Sequence, residues 1–130
     1  MPMSVMENDV RRLSKARRQV MVVDDVSTVR RVLRRSLEVL GYDVLEAESG
    51  EQAIRLYAEE GKGLHGVILD ISMPGLDGRS TLRALKALDP NVSVVLASGS
   101  HEMANGPSDA CGMLLKPCSL DAIESAVRLM

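Results

Sequence analysis

The sequence predicts an α/β fold, a parallel β-sheet with helices packed on both faces. Short runs rich in Val, Leu and Ile alternate along the chain with longer segments whose apolar residues recur every three to four positions. The apolar runs also lack the in-out alternation of a half-solvated strand. They read instead as strands buried on both sides, as in parallel sheets covered by crossover helices. A length of 130 residues suits one such domain.

The elements follow in order. Val20-Met21-Val22-Val23 is the first all-apolar run. Residues 27–40 read as a helix, with Val29, Val32, Leu33, Leu37 and Leu40 on one face. Arg30, Arg31, Arg34 and Arg35 fall largely on its outer side, and Gly41 ends it. Residues 43–47 form a second strand. Ser49 with Gln52 three positions later is a capping box for a helix that ends near Gly61. A third strand over 66–69 runs into Asp70, and a helix over 78–88 is broken by Asp89-Pro90-Asn91. Residues 92–97 and 112–115 complete five strands, and Ser119 caps a last helix through Leu129. Such βα alternation is joined by right-handed crossovers.

Composition narrows the function. A net charge of -2 gives no general attraction to nucleic acid or acidic lipid. Tyr42 and Tyr57 are the sole aromatics among Phe, Trp and Tyr, which argues against binding single strands by base stacking. No apolar run approaches membrane-spanning length and nothing resembles an export signal, so a cytoplasmic location is expected. There Cys111 and Cys118 stay as thiols, and their separation without neighbouring His argues against zinc. His65 and His101 are single and distant, and read as ordinary surface or core histidines. Residues 1–18 are polar, with Arg11, Arg12, Lys15, Arg17 and Arg18. They read as a solvated leader or linker ahead of a domain over 19–130.

In an open parallel sheet, ligands bind beyond the carboxyl ends of the strands. Strand one ends in Asp24-Asp25, strand three in Asp70, strand four in Ala97-Ser98, and strand five runs into Lys116-Pro117. Strand two ends in Ala47-Glu48, to which no role attaches. Three carboxylates, a hydroxyl and an ammonium thus share one rim. At an effective dielectric near 20, two like charges ~4 Å apart repel by about 4 kcal/mol. Protonation or a hard cation relieves this, and carboxylates that leave room for waters suit Mg²⁺. An Asp beside such a metal is competent as a nucleophile towards phosphorus. Lys116 and the metal would offset phosphoryl charge, and the Ser98 hydroxyl would donate to a phosphoryl oxygen.

These pieces resemble the receiver domains of response regulators and hybrid sensor kinases. The matching residues are Val22-Val23-Asp24-Asp25, the D-x-x-M-P-x-x-D-G stretch from Asp70 through Met73, Pro74, Asp77 and Gly78, then Leu96-Ala97-Ser98, and Lys116-Pro117. The resemblance implies a flavodoxin-like, doubly wound five-stranded sheet in 2-1-3-4-5 order. It also implies that a histidine kinase or histidine phosphotransfer protein phosphorylates Asp70 and so switches protein–protein contacts. Asp25, Asp70 and the Ser72 carbonyl would hold Mg²⁺, with Asp24 acting through water. Ser98 and Lys116 would contact the phosphoryl group, and the bond before Pro117 would be cis.

Two departures from that pattern stand out. Receivers usually carry Tyr or Phe three residues before the lysine, where this chain has Met113. The connection between strands four and five is also short, so a reduced fourth helix of one or two turns over 100–105 is expected. Phosphorylation is therefore expected to be intact and the usual readout altered, as in a relay module or a regulator of a neighbouring kinase. The basic side of the first helix, Arg30 and Arg34 included, reads first as a solvated face and second as a docking site for an acidic kinase surface. Two other readings remain: a receiver-like binding module that accepts no phosphate, and a Mg²⁺-dependent phosphohydrolase. The latter would want a D-x-D motif after strand one, where this chain has adjacent Asp24-Asp25.

Overall fold

The computed structural model describes residues 17–99 and 110–130. In order these form β1 (Gln19–Val23), α1 (Ser27–Val39), β2 (Asp43–Ala47), α2 (Gly50–Glu60), a 3₁₀ turn (Gly61–Gly63) and β3 (Leu64–Asp70). Then come α3 (Gly78–Leu88), β4 (Val94–Ser98), β5 (Gly112–Leu115) and α4 (Leu120–Arg128). All neighbouring strands pair in parallel, in the order β2-β1-β3-β4-β5.

Alternate residues of the central strands feed two apolar layers, as the period of two requires. Met21, Val23, Val67, Leu69, Val94 and Leu96 pack under α2 and α3, against Ala53, Tyr57, Leu82 and Leu85. Val20, Val22, Ile68, Val95, Ala97 and Leu114 pack under α1 and α4, against Leu33, Leu37, Ile123 and Val127. With so few aromatics, these aliphatic layers supply most of the burial.

Local chemistry sets the element ends. Ser49 caps α2, its Oγ accepting from Gln52 N–H (3.1 Å), while the Gln52 side chain reaches one residue past the cap and accepts from Glu48 N–H (2.7 Å) instead of Ser49 N–H. Asp77 and Ser119 cap α3 and α4 through their side chains. Gly41, at φ 96°, takes the left-handed conformation that ends α1.

Some expectations change. Val32 is 61% exposed while Leu33 and Leu37 are buried, because the stripe that meets the sheet follows Val29, Leu33, Leu37 and Leu40 and leaves Val32 at its edge. Arg30 is turned inward rather than outward, for a reason given below. Strand β3 begins two residues earlier than expected and β4 two later. Val92 is buried outside the ladder, where Lys86 Nζ donates to its carbonyl at 2.8 Å. The expected turns over 100–105, His101, and residues 1–16 of the leader lie outside the described residues. Among the described residues, no helix is long and apolar enough to cross a membrane.

Candidate functional site

Strand register assembles the site. Val23 pairs with Leu69, so the next residues, Asp24 and Asp70, emerge side by side at the carboxyl edge. Asp70 pairs with Ala97, and Ser98 pairs with Leu115, which brings Ser98 and Lys116 to the same edge. Each side chain is the first or last that its strand can offer before the chain turns away.

Asp24, Asp25 and Asp70 bring carboxylate oxygens within 4.8 Å of one another. Asp24 and Asp70 are buried, and Asp25 is exposed. Lys116 Nζ sits between the two buried ones, 2.5 Å from Asp24 Oδ2 and 3.3 Å from Asp70 Oδ1. Both Asp24 oxygens therefore have partners, since Oδ1 also accepts from Val26 N–H at 2.9 Å. Ser72 N–H donates to Asp70 Oδ1 at 3.1 Å, holding the Asp70 side chain against the loop that follows it. Ser98 is fully buried, and its carbonyl accepts from Lys116 N–H at 2.8 Å, which ties β4 to the lysine's loop. The Lys116–Pro117 peptide is cis.

Electrostatics follow from this packing. Burial pushes the Asp70 carboxyl above the usual carboxylate range. The charge of Asp24 adds to this, and the Ser72 N–H and Lys116 only partly offset it. Burial works against the Lys116 ammonium, but its bond to Asp24 and the charges of Asp70 and Asp24 outweigh it and raise the lysine above its ordinary value. Cys111, which is exposed, and the half-buried Cys118 are free thiols, and partial desolvation pushes both up.

Sequence reading missed three supporting residues. A Cβ on Gly78 would lie 2.5 Å from the Asp70 carbonyl oxygen and 2.5 Å from Ile71 Cα, so the start of α3 packs directly on the Asp70 backbone. The Asp-Gly at the end of the long motif was the available signal. Arg30 and Glu46 are the others. Arg30 Nη1 donates to the Asp24 carbonyl at 2.7 Å while its Nε meets Glu46 Oε1 at 3.2 Å. Arg34 holds the other oxygen of Glu46 at 2.6 Å. Arg30 is thus engaged inside the molecule, whereas Arg34 holds Glu46 from the surface and stays 45% exposed. A pair 16 residues apart on a helix and a strand leaves no periodic trace in a sequence. Met113 is 52% exposed, on the side of β5 opposite the buried Leu114.

The fold and this rim define a signal-receiver domain. The family model described as "Response regulator receiver domain" matches residues 20–128, and the chain belongs to that family. It is 37% identical over 115 residues to the sensor kinase CckA of Brucella abortus (strain 2308), covering 85% of this chain and 12% of that protein. It is 31% identical over 114 residues to sporulation initiation phosphotransferase F of Bacillus subtilis (strain 168), covering 85% of this chain and 90% of that protein. The chain spans less than half the length of several transcriptional regulators that it also matches. Among solved structures, it superposes on the response regulator protein TrrA of Thermotoga maritima in complex with Mg²⁺-BeF. That match has a TM-score of 0.79 at 26% identity, over 87% of this chain and 99% of the other.

Proposed function

We propose that this domain, over residues 19–130, accepts a phosphoryl group on Asp70 from a phosphohistidine of a kinase or phosphotransfer protein. The observation that supports it most is the placement of Asp70, buried at the end of β3, beside two further carboxylates and under one lysine. The Asp70 carboxylate attacks phosphorus, an O–P bond forms, the P–N bond breaks, and the imidazole leaves and takes up a proton from solvent. Lys116 is already at the acceptor and would follow the transferred group, and Ser98 would donate its hydroxyl to a phosphoryl oxygen.

The donor set fits a hard cation, since all the candidate ligands are oxygens and Asp25 is open to solvent. Asp25, Asp70 and the Ser72 carbonyl would hold Mg²⁺. Asp24, with both oxygens partnered inside the protein, would act through water. When bound, Mg²⁺ would neutralise charge on the transferring phosphoryl group. The same placement suits a cytoplasmic relay partner or a regulator of a neighbouring kinase module. The likeness to a sensor kinase and to a phosphotransferase supports this, as does the absence of an aromatic at Met113.

The test is intact-protein mass after incubation with acetyl phosphate and Mg²⁺. Wild type is expected to gain one labile phosphoryl group and Asp70→Asn none. No adduct on wild type with Mg²⁺ bound would refute phospho-acceptance in favour of a binding module.

A further inference from the structure

We propose that Arg30, clamped by Glu46, is a positioning residue that sets the β1–α1 loop for cation binding. This inference rests on the Mg²⁺ reading of the rim and assigns the site a support outside its carboxylates and lysine.

Beside the Lys116 bond to Asp24 Oδ2, four contacts hold the Asp24–Val26 loop. Asp24 N–H donates to the Ala47 carbonyl at 3.1 Å, and Val26 N–H to Asp24 Oδ1 at 2.9 Å. Arg30 N–H donates to the Val26 carbonyl at 3.1 Å. The fourth contact is the Arg30 guanidinium on the Asp24 carbonyl at 2.7 Å. That carbonyl belongs to the peptide joining Asp24 to Asp25, so holding its oxygen fixes the plane of the peptide from which Asp25 extends. Asp25 itself is exposed, so little packing restrains its side chain and the position of its backbone matters the more.

Helix α1 also starts without the device used elsewhere. The other helices have Ser49, Asp77 and Ser119 as side-chain caps, whereas Val26 precedes α1 with no side-chain cap and no acidic residue in the first turn. The clamp cannot accept from the first-turn amides as a cap does, but it restrains the same entry to the helix by donating to the Asp24 carbonyl. The Arg30 side chain is only 14% exposed and its fork spans two acceptors, Glu46 on β2 and the Asp24 carbonyl. Glu46 is gripped in turn by Arg34, and the Arg34 bond, with Arg30's, holds the Glu46 carboxyl below the usual range.

Charge and positioning make opposite demands, which renders the proposal testable. As a cation near an acidic site, Arg30 by charge alone weakens Mg²⁺ binding, so removing it should tighten binding. As a positioning group it strengthens binding, and loss of such an outer partner costs metal sites roughly 10–100-fold in affinity.

Mg²⁺ affinity by titration calorimetry, and hydrogen exchange of the Val26 amide in metal-free protein, decide between them. Variants are Arg30→Gln, Arg30→Lys and Glu46→Gln, with exposed Arg35→Ala as control and urea melts to confirm folding. Arg30→Gln is expected to weaken Mg²⁺ binding about tenfold and to speed Val26 exchange. Arg30→Lys should not rescue either, because one ammonium cannot span both acceptors. Glu46→Gln should move both readouts the same way by less, and stands in if Arg30→Gln fails to fold. Tighter or unchanged Mg²⁺ binding by Arg30→Gln overturns the proposal, as does full rescue by Arg30→Lys or wild-type Val26 exchange in folded variants. Absence of Mg²⁺ binding by wild type would instead strike the metal-assisted reading on which the clamp rests.

Discussion

Gly78→Ala tests how closely the acceptor depends on the helix beneath it. The added Cβ would lie 2.5 Å from the Asp70 carbonyl oxygen, 2.5 Å from Ile71 Cα and 3.1 Å from the Asp70 carbonyl carbon. These are backbone atoms, so no side chain can swing aside to make room. Ordinary contact starts near 3.5 Å, so α3 and the end of β3 must separate by about 1 Å. A misplacement of that size at a reacting centre costs on the order of 10²-fold in rate. Overpacking costs roughly 1–3 kcal/mol. The better helix propensity of Ala returns only part of this at a first helical position, at most about 1 kcal/mol. The variant should therefore fold, with a lower urea midpoint, and accept phosphate from acetyl phosphate about a hundredfold more slowly. The assay is the time course of the mass adduct, with urea melts on the same preparations. A folded Gly78→Ala protein phosphorylated within twofold of the wild-type rate would show that the acceptor tolerates the shift, and the reasoning from close approach would fail.

Two further outcomes follow from burial. Because the Asp70 carboxyl is raised in the folded chain, the native state holds its proton more tightly than the unfolded one, and stability falls as pH rises through that window. Asp70→Asn in EDTA should therefore raise the urea midpoint at pH 7. The gain should fade as pH falls through the raised folded value towards an ordinary Asp near ~3.9, and a gain that persists there would contradict the assignment. On α1, Leu33→Ala should cost roughly 2–5 kcal/mol, because Leu33 is 4% exposed in the core. Val32→Ala, at a position 61% exposed, should stay within about 0.5 kcal/mol, and equal costs in urea would mean that the helix is rotated.

Much of the fold was legible because the signals are local. The double burial of β1 shows as an unbroken apolar run. Ser49 and Ser119, read as caps from the sequence, bond amides three residues on. The helix over Gly78–Leu88 is as the sequence predicts. The errors came where tertiary packing outweighs a local pattern. Val32 fits the apolar stripe of α1 by type, yet the sheet meets the helix along Leu33 and Leu37. Arg30 looks like its neighbours Arg31 and Arg35 in the sequence, and only the position of β2 shows that it points inward.

The same division applies to the site. By itself the sequence determined which groups stand at the strand ends, because each of Asp24, Asp70, Ser98 and Lys116 directly follows or closes an apolar run, and strand polarity puts those ends on one rim. Only the tertiary structure decided how they face one another. It seated Lys116 between Asp24 and Asp70, left Asp25 to solvent, and set Gly78 against the Asp70 backbone. It also joined Arg30 to Glu46 across the gap between helix and strand. The physical reason is range. Periodicity, capping and turn chemistry act over a few residues and are written in order along the chain. Charge pairing and close approach depend on distances between segments that only the packed sheet brings together.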